Sequence, residues 1–243
     1  FSIFYDLEDP IKFAGDVKKT LSPHGLWIFE QSYLGDMLAT NSVDTICHEH
    51  VSYYSYKSIN KILDEVNLRI IDITKNNVNG GSFVVIAGHK ELSYGKLENI
   101  NNINEFANKE IALCLTDLQT FDKFKERLDN NSKNLENFLL KIREKGTQIF
   151  GIGASTKGNT YLQCFPKIAE CIEKIGEVNP DKFGKITPGT NIPIVNEDEI
   201  LTATDAVYIV LPWHFRDFFI NNEKYKGKRL IFALPEFEEV IVQ

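Results

Sequence analysis

Apolar positions along the chain follow two periods. Between Ile11 and Leu21 they return near helical spacing (Ile11, Ala14, Val17, Lys18, Leu21), and Ser22-Pro23-His24-Gly25 then interrupts them before the continuous run Leu26-Trp27-Ile28-Phe29-Glu30. This predicts a helix, a turn and a buried strand. A second helix is predicted over Ser58 to Val66, with Ile59, Ile62, Leu63 and Val66 on one face and Ser58 as its N-cap. A strand over Leu68 to Ile73, a tight turn at Asn79-Gly80-Gly81 and a β-branched and aromatic strand over Ser82 to Ala87 follow.

From Lys96 to Lys145 the text changes. Proline is missing, Asn, Glu and Lys abound, and Leu128, Leu135, Phe138, Leu139 and Ile142 recur at three, four and seven, which predicts a helical connector. After Gly146 come a strand (Thr147 to Phe150), a glycine-rich turn (Gly151 to Gly158), a helix from Asn159 onward and a strand over Ile175 to Val178, the order of a βαβ unit. Two further apolar runs, Ala206 to Leu211 and Arg229 to Leu234, complete a parallel sheet. The fold class expected is therefore α/β, in three segments: residues 1–95, a connector over 96–145, and a parallel-sheet domain over 146–243.

Composition narrows the partners. With 27 Lys and Arg against 34 Asp and Glu, the net charge of −7 lacks the clustered cations that phosphate neutralisation needs, so nucleic acid is not expected. No apolar run reaches the length of a membrane span and no secretory leader pattern opens the chain, so no membrane partner is expected either. Cys47, Cys114, Cys164 and Cys171 form no C-x-x-C pair, which fits a reduced, cytoplasmic protein without a metal site of its own. Phe1 opens in the midst of an apolar run, as in the remainder of something longer.

Two stretches carry candidate chemistry. In Cys47-His48-Glu49-His50, followed by Val51-Ser52-Tyr53-Tyr54-Ser55, two imidazoles, a carboxylate and two phenols crowd together. Removing a proton from carbon needs a base that titrates near the working pH, and His is that side chain, with a carboxylate available to orient it. On a strand His48 and His50 would share a face, and neither has the i, i+4 spacing of a zinc helix. In Gly151-Ile152-Gly153-Ala154-Ser155-Thr156-Lys157-Gly158-Asn159, glycines where strand gives way to helix allow close approach of a phosphate, to which Ser155 and Lys157 add donors and charge. A plain strand–helix turn accounts for the same residues. The spacing departs from the dinucleotide fingerprint, although Glu177, ending the next strand, stands where an acidic residue meets a ribose hydroxyl. An irregular loop from Asn179 to Ile194, and Pro212-Trp213-His214-Phe215-Arg216 just past a strand end, are further candidate contacts.

These pieces, with Leu21-Ser22-Pro23-His24-Gly25, Asp44-Thr45-Ile46 ahead of Cys47, Gly80-Gly81-Ser82 and Thr187-Pro188-Gly189 through Pro193-Ile194, resemble in order the sugar C-methyltransferases, which use S-adenosylmethionine to methylate a carbon of a nucleotide-linked keto-sugar. The resemblance implies that residues 1–95 are the end of a class I methyltransferase-type sheet and 146–243 a Rossmann-like nucleotide-sugar domain. It also implies that the cofactor's main loop, and a zinc module at the family's N-terminus, lie outside this sequence. His50 becomes the base, Glu49 and His48 its orienting or enolate-stabilising partners, and Gly153, Ser155, Lys157, Asn159, Glu177, Tyr53 and Trp213 the contacts of a nucleotide-linked keto-deoxysugar. The chain departs from the family where Cys47 replaces a common Tyr, where Asn79, Phe83 and Val84 replace His, Leu and Arg, and where Val178 replaces an Arg. Two other functions compete on the residues alone: an NAD-dependent oxidoreductase, from the glycine turn and Glu177, and a non-catalytic nucleotide-sugar-binding module.

Overall fold

In the computed structural model, which describes residues 3–243, the chain divides into two units. The first takes residues up to Ala39 and then His48–Asp122; the second takes Thr40–Cys47 and Lys123–Gln243. The excursion of residues 40–47 is invisible in the hydrophobic pattern.

In the first unit, α1 (Pro10–Thr20) starts where the Asp9 side chain accepts the Lys12 amide at 2.9 Å and Pro10 occupies a position needing no donor. β1 (Trp27–Ser32) leads into a short α2 (Leu34–Ala39). α3 (Tyr56–Glu65) begins earlier than the pattern predicts: Ser55 is its N-cap, and Ser58 is the third helical residue, the two closing a reciprocal capping box. Two serines three apart made either reading available; the backbone turns at the first. β2 (Leu68–Asn76) and β3 (Ser82–His89) join β1 in the order β1-β3-β2, with β3 antiparallel to both neighbours. A bulge between Ile70 and Asp72 breaks strict alternation, so that Ile70, Ile71 and Ile73 are all buried. Ile70 and Ile73 pack with Phe29, Tyr33, Tyr54, Leu63, Phe83 and Phe106 into one core.

The expected connector is two helices, α4 (Ile100–Ala112) and α5 (Leu118–Glu144), broken where Cys114 takes a left-handed conformation. Phe106 of α4 joins the first core, and Glu110 fastens the helix: its carboxylate accepts the Tyr56 and Lys57 amides at 2.6 and 2.9 Å, capping α3 with an internal anion. α5 runs through the division at residue 122 and buries Phe124, Leu128, Leu135, Leu139 and Ile142, a single helical stripe, in the second unit.

The second unit is built on β4 (Gln148–Ile152), α6 (Thr156–Cys164), α7 (Pro166–Ala169), β5 (Lys174–Glu177), β6 (Ile194–Asn196), α8 (Glu197–Leu201), β7 (Ala206–Val210), α9 (Arg216–Ile220), β8 (Arg229–Phe232) and β9 (Glu238–Ile241). Strand order is β6-β5-β4-β7-β8-β9, parallel except for β9, which runs antiparallel to β8. The apolar text predicts β4, β5, β7 and β8. It does not mark β6, which is three residues long, or β9, whose residues are mostly exposed and half of them charged. Chain direction around the sheet reverses between β4 and β7, the switch point where open α/β sheets hold ligands. Among the described residues no helix is long and apolar enough to cross a membrane.

Candidate active site

The His-Glu-His segment lies in the first unit as an irregular turn, so the strand alternation that would have put His48 and His50 on one face does not apply. The His48 and Glu49 side chains are 89% and 48% exposed, with Glu49 Oε2 3.4 Å from His48 Nδ1. His50 is half-buried; its ring lies 4.1 Å, centroid to centroid, from Tyr5 and 6.4 Å from Tyr53. Val51 and Ser52 donate backbone hydrogen bonds to the Tyr5 carbonyl at 2.9 and 3.2 Å. Of the residues named from sequence, the fold gathers His48, Glu49, His50 and Tyr53 here and adds Tyr5, which no motif marked.

The glycine turn lies in the second unit. Gly151 belongs to β4, and α6 starts at Thr156, three residues before the position the pattern predicts, because Ser155 caps it by accepting the Gly158 amide at 3.0 Å. Gly153 is left-handed (φ 83°), and a Cβ there would stand 2.9 Å from Pro212 Cδ; at Gly158 a Cβ would meet Leu211 Cβ at 2.7 Å, so its absence lets the helix press against the end of β7. These are the two uses of glycine found in dinucleotide turns, at a different spacing.

The turn's amides, however, serve the protein. Gly153 N donates to Gly176 O, Ser155 N to Gly153 O, and Ala154 N to Glu177 Oε2 at 3.1 Å. Glu177, 7% exposed, also accepts Val178 N, Asn179 N and Lys182 Nζ, at 2.8, 3.1 and 3.1 Å. Burial alone would raise its pKa; the Asn179 amide, Lys182 and the Val178 amide outweigh that and hold it below the ordinary carboxylate range. A carboxylate offers about four acceptor positions. Those of Glu177 are filled by protein donors, which leaves no place for a ribose hydroxyl.

Residues 40–47 pack against α6 within the second unit. Asp44, 1% exposed, accepts the indole N–H of Trp213 at 2.9 Å, and its charge acts on Lys157, Tyr161 and Cys164. Spaced i, i+4 and i+7, those three define the face of α6 turned to this strap. Lys157 is half-buried, and burial lowers its pKa against the opposing pull of Asp44 and Cys47. His214 is pushed down to about 4 by burial and by the Lys157 ammonium. Tyr161 Oη, Asn159 Oδ1 and His214 Nδ1 are buried without a hydrogen-bond partner. Trp213, 8% exposed, spends its donor on Asp44.

Sequence reasoning placed Asp44 and His214 inside marked stretches without giving either a role, and did not mark Tyr161. The signal available was weak: a lone acid in an apolar stretch, and a Tyr four residues after Lys157. The residues named from sequence thus fall into two groups, one in each unit, with Gly153, Ser155, Lys157, Asn159, Glu177 and Trp213 in the second.

Comparison with known proteins bears on both groups. C-methyltransferase NovU of Streptomyces niveus is 29% identical over 236 residues, which are 96% of this chain and 56% of that protein. The chain thus spans a little over half the length of this curated relative. Residues 77–235 match the family model of the C-methyltransferase C-terminal domain, a span that takes in β3, the helices α4 and α5, the glycine turn and Trp213, and on that match the chain belongs to the C-methyltransferase family.

Proposed function

We propose that this chain is part of an S-adenosylmethionine-dependent C-methyltransferase that methylates a carbon beside the ketone of a nucleotide-linked deoxysugar, with His50 as the base. The observation that carries the reading is the half-buried His50 ring held against Tyr5 in a segment rich in ionisable groups, in a chain of this family. S-adenosylmethionine supplies an electrophilic methyl group. This chain's share is to make the acceptor carbon nucleophilic: His50 takes the proton beside the ketone, leaving the electron pair in an enolate, while His48, Glu49 and Tyr53 stabilise or orient the charge that develops. Within the second unit, the charge of Lys157, with the Ser155 hydroxyl and Asn159, suits a diphosphate.

The first unit contains a cavity of about 520 Å³ lined by Leu34, Ser55, Tyr56, Glu110, Ile111 and Leu115 among others. Its buried carboxylate, Glu110, is committed to two amides of α3. The oxidoreductase reading loses the acid that motivated it, since Glu177 is saturated.

The test is His50→Gln in the full-length enzyme, following methyl transfer and, without the methyl donor, exchange of the sugar's α-proton with heavy water. Loss of both by roughly 10²- to 10⁴-fold is expected for removal of a general base. Unchanged rates would refute the assignment.

A further inference from the structure

In the first unit both amide atoms of Gln31 and the hydroxyl of Tyr54 are buried, with no hydrogen-bond partner among the described residues. The two residues are 1% and 3% exposed. Withdrawing such groups from water without a partner costs stability, so their presence calls for a use outside packing. Gln31 lies on the inward face of β1, between the buried Phe29 and Tyr33 in the strand alternation. Both of these neighbours adjoin Tyr54. The Phe4 ring stands 5.6 Å from Phe29 and 5.1 Å from Tyr54, centroid to centroid, and the Tyr33 backbone is bridged to that of Tyr54. The turn Phe4–Asp6 that brings Phe4 to Tyr54 also carries Tyr5, whose ring meets His50 at 4.1 Å. Burial raises the Tyr54 pKa against the opposing effect of the Ser52 hydroxyl, which keeps the phenol a donor at neutral pH.

We propose that Gln31 and Tyr54 are catalytic residues that donate hydrogen bonds to the ketone oxygen of the sugar as it becomes an enolate. The inference rests on the enolisation proposed above. In that step His50 takes the α-proton, the C–H electron pair becomes the C=C bond, and the carbonyl π pair moves onto oxygen. There the Gln31 N–H and the Tyr54 O–H donate to it, both keeping their protons. Donors withdrawn from water stabilise a developing charge more than side chains as exposed as His48 can. The ketone oxygen meets these two only when the side chains around them open locally on substrate binding. The same withdrawal is a burden on the resting fold, so stability and turnover should move in opposite directions when either group is removed.

The test uses the full-length enzyme with Gln31→Met and Tyr54→Phe, apolar replacements of similar shape. Three quantities are read: Tm by calorimetry, kcat and KM for methyl transfer to a thymidine-diphosphate-linked 4-keto-6-deoxysugar, and exchange of that sugar's α-proton with heavy water in the absence of the methyl donor. Each variant should lower kcat and α-proton exchange by roughly 10²- to 10³-fold, with KM within about twofold of wild type and Tm equal to or above it. Rates that do not move would overturn the proposal. So would a Tm that falls along with the rates, or a variant that does not fold, since either outcome makes the polar group a support of the core. Failure of the reading beneath it is seen elsewhere: wild type would then exchange no α-proton. A wrong base alone would leave His50→Gln active while Gln31→Met stays slow.

Discussion

Glu177 offers the sharpest test of how the glycine turn is held. Its carboxylate gathers Ala154 N, Val178 N, Asn179 N and Lys182 Nζ, and Lys182 also donates to the Ala154 carbonyl at 2.9 Å. In Glu177→Gln the amide oxygen can still serve the donors on one side, while the NH₂ group faces the other pair. Hydrogen bonds to a charged acceptor contribute about 1.5–3 kcal/mol each, so forfeiting two costs ~3–6 kcal/mol. The chain has two tryptophans, Trp27 in the first unit and Trp213 in the second, so in a Trp27→Phe background Trp213 fluorescence during urea unfolding reports the unit that holds Glu177. With a slope of ~2 kcal/mol per molar urea the midpoint should fall by ~2 M. Acid supplies an internal control. Because the folded pKa lies below the ordinary value of 4.5, the stabilisation is fully present above that value and is lost as pH falls through the folded pKa. The gap between wild type and Glu177→Gln should therefore narrow below about pH 4.5. A cost under about 1 kcal/mol at neutral pH, or a gap that stays constant in acid, would show that these four contacts do not hold the turn.

Other parts of the structure give further expectations. Gly153→Ala forces a left-handed backbone and a 2.9 Å approach to Pro212, and should destabilise the second unit by ~1–3 kcal/mol in the same assay; no loss would mean the turn relaxes freely. Glu110→Ala uncovers the first two amides of α3 and should lower the stability seen by Trp27 by ~1–2 kcal/mol, while Trp213 reports no change. His214 binds its proton less readily folded than unfolded, so stability should fall as pH drops from 6.5 towards about 4; His214→Asn should flatten that limb of the unfolding profile, and an unchanged slope would count against the burial. Lys157→Met should weaken thymidine diphosphate binding about tenfold by calorimetry and reduce its salt dependence, whereas an equal Kd would remove Lys157 from the substrate site.

Local pattern made much of the scaffold legible. The stripe Leu128, Leu135, Leu139 and Ile142 could bury one face only as a helix, and the runs at 206–211 and 229–234 were too short and too apolar for anything but buried strands. Three-residue errors at α3 and α6 came from caps: the first available serine took the role at Ser55 and Ser155, a choice made by backbone geometry that neighbouring hydroxyls leave open. β9 carries no apolar alternation, because an exposed edge strand is held by its ladder to β8 rather than by burial.

What the sequence determined by itself was the α/β class, the turn residues and the segment His48-Glu49-His50, since periodicity, glycine and imidazole act through local geometry and intrinsic pKa. What only the tertiary structure decided is where polar groups meet. It assigned residues 40–47 to the second unit, aimed Asp44 at Trp213 and filled Glu177 with amides from its own chain. Asp44 and Trp213 lie 169 positions apart, a separation no periodicity encodes. Their pairing follows from the cost of burying a carboxylate or an indole N–H alone, which the fold settles only once both are withdrawn from water.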